Sequence, residues 1–133
     1  MKKEPNYSQN TVLGIPINRD LANDEHTVER IRRVLSEMKV QWEEKRMFGG
    51  CGFMVDDKML LGTFKGNIMA RVDPEEVNEL LARGGSEQMI HGGRPMTGYL
   101  SVLPESYDFD TDLDFWIGKC LEFNPKAKSS KKK

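Results

Sequence analysis

Few side chains in this sequence have the type and spacing that chemistry needs. The histidines are His26 and His91, and neither has a Cys, Asp or Glu at a metal-ligand spacing. Both read as structural or solvent-facing. Cys51 follows a Gly-Gly break, with Lys45 and Arg46 close by in sequence. A neighbouring cation would lower its pKa and make it reactive, but a nucleophile also needs a positioned base, and none is evident. Cys120 sits on an apolar helical stripe and reads as core. Ser36-Glu37-Met38-Lys39 matches a short S-x-x-K pattern whose companion motifs are missing, so it reads as an exposed helix face.

Two glycine clusters, Gly49-Gly50-Cys51-Gly52 and Gly92-Gly93-Arg94, invite comparison with phosphate cradles. Neither has the spacing of a P-loop or a dinucleotide fingerprint. The expectation is that these glycines serve turns and close strand approach, with Arg46 or Arg94 as the cation of any anion site. The methionines Met38, Met47, Met54, Met59, Met69, Met89 and Met96 are either flexible core filler or an adaptable protein-binding surface. The candidate contact residues are therefore Lys45, Arg46, Phe48, Gly49, Gly50 and Arg94, with Lys45 and Arg46 the first to mutate. No catalytic, metal or cofactor-binding residue is assigned, and no cofactor is expected.

The elements that position these residues follow from periodicity. Residues 1–22 are polar and broken by Pro5, Gly14 and Pro16, and read as an irregular arm in which Val12, Leu13, Ile15 and Ile17 are the apolar positions. Val28, Ile31, Leu35 and Met38 recur at helical spacing and predict a helix over 24–39, with Glu29 and Arg33 as an i,i+4 pair. Weak alternation predicts a strand over 40–48. Short strands follow over 53–55, 59–64 and 68–72, joined by turns at Asp56-Asp57-Lys58 and Lys65-Gly66-Asn67. In that meander Met59 and Leu61 are expected on one face, and Ile68, Ala70 and Val72 on another shared face. Asp73 as cap, Pro74 at the first position and Gly84-Gly85 at the end delimit a second helix. Residues 85–98 read as a loop anchored by Met89 and Met96, and 99–103 as a last strand. Leu113, Trp116, Ile117, Cys120 and Leu121 define a third amphipathic helix over 111–123.

The expected fold is α+β, a two-layer arrangement of an antiparallel meander with about three helices on it. Its organisation is an arm over 1–22, one domain over 23–125, and a lysine-rich tail over 126–133 that is expected to be disordered. The 133 residues suffice for one unstapled core. The tail holds 5 of the 20 basic residues and none of the 21 acidic ones, which leaves residues 1–125 at net −6. An acidic body disfavours nucleic-acid binding, for which the tail is the only evident means. No apolar run has the length to span a bilayer and residues 1–20 lack an apolar signal core, so the expected compartment is the cytoplasm.

Lys45-Arg46-Met47-Phe48-Gly49-Gly50 followed by Gly52-Phe53-Met54-Val55 resembles the TfoX N-terminal domain family. So do Asn67-Ile68-Met69-Ala70-Arg71-Val72, Gly93-Arg94-Pro95-Met96-Thr97-Gly98-Tyr99, and Leu113-Asp114-Phe115-Trp116-Ile117 with Phe123-Asn124. These segments occur in the family's order and cover about residues 24–125. The resemblance implies a two-layer α+β fold with an antiparallel sheet and no catalytic motif. Two-domain members are regulators of natural competence that act with a cyclic-AMP-responsive transcription factor and carry a second, helical domain. This chain matches their N-terminal domain alone. The expected function is a non-enzymatic interaction or regulatory module whose partners are proteins, including a second copy of the chain. The alternatives are a nucleic-acid-associated protein using the tail, and a small-ligand or anion binder near Gly49-Gly50.

Overall fold

The computed structural model describes residues 11–12, 15–16, 19–47 and 49–128. Phe48, most of the N-terminal arm, and the tail from Ser129 lie outside them, so the expectations for those residues do too. Two short strands, β1 (Thr11–Val12) and β2 (Ile15–Pro16), pair with each other. Helix α1 (Arg19–Glu37) follows. It starts five residues earlier than the periodicity predicts. No Pro or Gly lies between Pro16 and Gly49, so nothing stops the helix short of Arg19. Lys39 in the left-handed region (φ 62°) closes its C-terminus.

Six strands then form one antiparallel sheet: β3 (Glu43–Met47), β4 (Gly50–Val55), β5 (Lys58–Phe64), β6 (Asn67–Arg71), β7 (Ser86–His91) and β8 (Arg94–Val102). Their spatial order is β3-β4-β5-β6-β8-β7, so β3 and β7 are the edges and the sheet is open. Asp56-Asp57, Lys65-Gly66 and Gly92-Gly93 make three two-residue turns, with positive φ at both positions of each. This is the turn handedness that matches strand twist.

Residues 85–98 are not a loop. Glycine and proline break up their alternation, yet Gly92-Gly93 is a hairpin turn. Gly98 (φ 81°) lies within β8, where an added Cβ would stand 2.9 Å from the Val72 carbonyl oxygen. Met59 and Leu61 do not share a face. The ladder shifts between Phe53, paired with Leu61, and Met54, paired with Met59. Leu60 is the extra residue of a bulge, which reverses the alternation.

Helix α2 (Val77–Ala82) is entered through a 3-10 turn at Pro74–Glu76, where the Asp73 carboxylate accepts from the Glu75 N–H at 3.0 Å. Helix α3 (Asp110–Phe123) follows the sheet. The three helices pack on one face and bury Ile31, Leu35, Leu80, Leu113, Trp116 and Ile117 against Phe53, Leu61, Ile68, Leu100 and Val102. Each such large side chain contributes roughly 1.5–3 kcal/mol on leaving water. Glu29 pairs with Arg32 at 2.7 Å instead of Arg33, which reaches Asp110 at 3.7 Å. The chain stays packed through Ala127, which is buried, while Lys126 lies 3.8 Å from Asp73.

Candidate functional site

The segment from Glu43 to Val55 borders two surfaces. On edge strand β3, side chains alternate: Glu44 and Arg46 turn toward the helices, while Lys45 and Met47 turn to the opposite face. Gly50 lets β4 and β5 close up here, since an added Cβ would stand 1.9 Å from the Thr63 carbonyl oxygen. Gly49 instead takes a left-handed turn conformation (φ 77°) in open space.

On the helix side a cleft of about 450 Å3 opens between α1 and the hairpin, lined by Glu25, Val28, Glu29, Arg32, Arg46, Gly49, Gly50, Cys51 and Thr63 among others. Its wall is an ion-pair network. Arg32 donates to both carboxylate oxygens of Glu44 at 2.7 Å each, and to Glu29 at 2.7 Å. The Trp42 indole N–H donates to Glu44 at 3.0 Å. The Arg32 guanidinium, aided by Trp42, holds the Glu44 carboxyl down at about 2, and Arg32 itself is raised by that bond. At the cleft floor the Cys51 N–H donates to Thr63 Oγ1 at 3.0 Å, and the Cys51 thiol approaches Glu44 at 3.8 Å. Burial first, then the Glu44 charge, pushes the Cys51 thiol up. Cys51 is thus an unactivated, buried thiol. The carboxylate it contacts, Glu44, is locked by Arg32 and is too weak a base to activate it.

Arg46 has no ion-pair partner among the described residues, but Glu25, Glu29 and Glu44 share its cleft and oppose an anion there. His26 and His91 are exposed and do not line the cleft. Among the described residues no group of three or more His, Cys, Asp or Glu could hold a metal ion.

The structure brings Lys45, Arg46, Gly49 and Gly50 together. It does not bring Arg94 to them. Arg94 begins β8, four strand steps from β3, or about 19 Å at the usual strand spacing. The two glycine clusters are separate hairpin turns, and Arg94 belongs to no anion site with Arg46.

The second surface is the sheet face opposite the helices. Met54, Met59 and Met69 cluster there, with Met47, Met89 and Tyr99 packed on them. A shallow groove lined by Lys45, Met47, Met54, Met59, Met69, Met96 and Tyr99 runs across it. The buried core on the helix side contains no methionine among the described residues. The methionines are therefore sorted by face. Their alternation along the strands hints at this, but the bulge at Leu60 hides it from sequence.

These features define a class: a small α+β module whose antiparallel sheet carries three helices on one face and a methionine cluster, with Met54, Met59 and Met69 buried, on the other, and no catalytic constellation among the described residues. The sequence profile of the TfoX N-terminal domain matches residues 35–124, about two-thirds of the chain. The chain belongs to the TfoX N-terminal domain family. No curated protein matches it. No helix among the described residues is long and apolar enough to cross a membrane.

Proposed function

We propose that the chain is a non-enzymatic protein-interaction module, serving as a regulatory adaptor through its methionine-lined sheet face. The observation that carries this reading is the sorting of methionines. A core builder would use Leu, Ile and Val on both faces, and the helix side does so. The opposite face uses unbranched, polarizable side chains: Met54, Met59 and Met69 are buried, and the half-buried Met47, Met89 and Met96 above them can adapt to a partner's shape. The family is in general non-catalytic, which agrees with a recognition role.

Chemical crosslinking in native lysate, read by mass spectrometry, tests it. Wild-type chain should capture a discrete protein partner, and the Met47→Glu/Met96→Glu variant should lose it while keeping the circular dichroism of a folded chain, with some fall in melting temperature because both methionines are half-buried. Identical capture by both proteins refutes the assignment to this face.

A further inference from the structure

The register of the sheet gives the methionine face a charge pattern that matches its own copy. Lys45 pairs with Gly52, Gly52 with Gly62, Gly62 with Met69, Met69 with Ser101, and Ser101 with Glu87. Residues directly opposite in a ladder point to the same face. One row therefore crosses the whole methionine face, with a cation on edge strand β3, a carboxylate on edge strand β7, and no charge between. Both end residues are exposed. Neither has an ion-pair partner among the described residues. A neighbouring row has the opposite sense. Glu43 pairs with Met54 and Met54 with Met59, while Arg71 pairs with Tyr99 toward the other side.

We infer that this face binds a second copy of the chain, face to face, about a twofold axis parallel to the strands; this rests on reading the face as a contact surface. Such an axis reverses each row over itself. β3 then lies over β7, β4 over β8, and β5 over β6 of the second copy. Lys45 meets Glu87 of the second copy, and the same pair forms again at the other edge. Aligned sheets stack about 10 Å apart, within the combined reach of a Lys and a Glu side chain.

Charge favours this face over others. Along these two rows Glu43 and Glu87 balance Lys45 and Arg71, whereas residues 1–125 as a whole carry net −6. Edge-to-edge association is opposed on β3, where Glu43, Glu44, Lys45 and Arg46 follow in sequence. Five strand gaps and five-residue strands give a footprint of about 24 by 17 Å, or about 400 Å2 before side-chain relief. Standard interfaces bury about 800 Å2 of accessible surface per partner, so the dimer belongs at the weak end, with micromolar dissociation.

Sedimentation equilibrium on the full chain between about 1 and 200 μM spans that range. The wild type should dimerise reversibly. Lys45→Glu and Glu87→Lys should each weaken dimerisation at least about tenfold, because each sets like charges together twice per dimer. The double variant Lys45→Glu/Glu87→Lys should restore it. Both positions are exposed, and thermal melts confirm that every variant folds. A monomeric wild type overturns the inference, as do single variants that dimerise normally, or a double variant that stays weak. A monomer that still loses a lysate partner on Met47→Glu/Met96→Glu sinks the dimer and leaves the adaptor reading standing. A dimer that captures no partner does the reverse.

Discussion

Adding one methyl group at Gly50 probes why β4 and β5 lie so close beside the cleft. The φ of Gly50 is not in the left-handed region, so Gly50→Ala introduces no backbone strain of its own. Its Cβ would stand 1.9 Å from the Thr63 carbonyl oxygen and 2.8 Å from the Thr63 carbonyl carbon. Ordinary contact begins near 3.4 Å, so the backbone of β5 must retreat by more than an ångström. That retreat breaks the Cys51 N–H bond to Thr63 Oγ1 and loosens the ladder bonds beside it. Two or three bonds at about 1 kcal/mol each give a loss of about 3 kcal/mol, or a drop of about 10–15 °C in Tm for a domain of this size. Gly49→Ala is the internal control. Its Cβ meets nothing within 4 Å, so its only cost is a left-handed alanine, about 1 kcal/mol. Urea unfolding with fluorescence from Trp42 and Trp116 measures both. If Gly49→Ala proves the more damaging, or Gly50→Ala lies within about 0.5 kcal/mol of wild type, the close approach does not control this hairpin.

Other outcomes follow from the same geometry. The Glu44 carboxyl titrates at about 2 in the folded chain against an ordinary 4.5, so the folded state binds its proton less readily. The stability it confers is complete above about pH 5 and disappears as pH falls toward 2. Glu44→Gln should therefore cost about 1 kcal/mol at pH 7, after allowing for partial exposure, and almost nothing near pH 2 in parallel urea titrations. Burial and the Glu44 charge raise the Cys51 thiol, and burial takes Cys120 to about 12. Iodoacetamide at neutral pH should accordingly label the native chain at least about tenfold more slowly than free cysteine, and label both thiols after unfolding, as read by intact mass. Arg94 stands exposed at a hairpin end away from the cleft, so Arg94→Ala should change stability by less than about 0.5 kcal/mol.

Sequence alone determined what depends on near neighbours. The apolar stripe of Leu113, Trp116, Ile117 and Cys120 dictates a core-facing helix because its 3.6-residue period is local. Asp73-Pro74 fixes a helix start by one side-chain bond and one preset φ. The turns at Asp56-Asp57 and Lys65-Gly66 announce hairpins through residues that tolerate positive φ. The family signature from Lys45 to Val55 was legible as well. What lies at long range was decided only by the tertiary structure. Gly92-Gly93 reads as loop until Ser86–His91 finds its place beside β8. Arg46 and Arg94 look like two chances at one anion site until strand order sets them apart. Arg32 and Glu44 form their pair because α1 packs beside β3, a contact that no periodicity encodes. The place of Met59 on the methionine face depends on the bulge at Leu60, because a single extra residue exchanges the two faces of a strand. Whether a methionine is core filler or contact surface is thus a property of the sheet, and of which of its faces the helices cover.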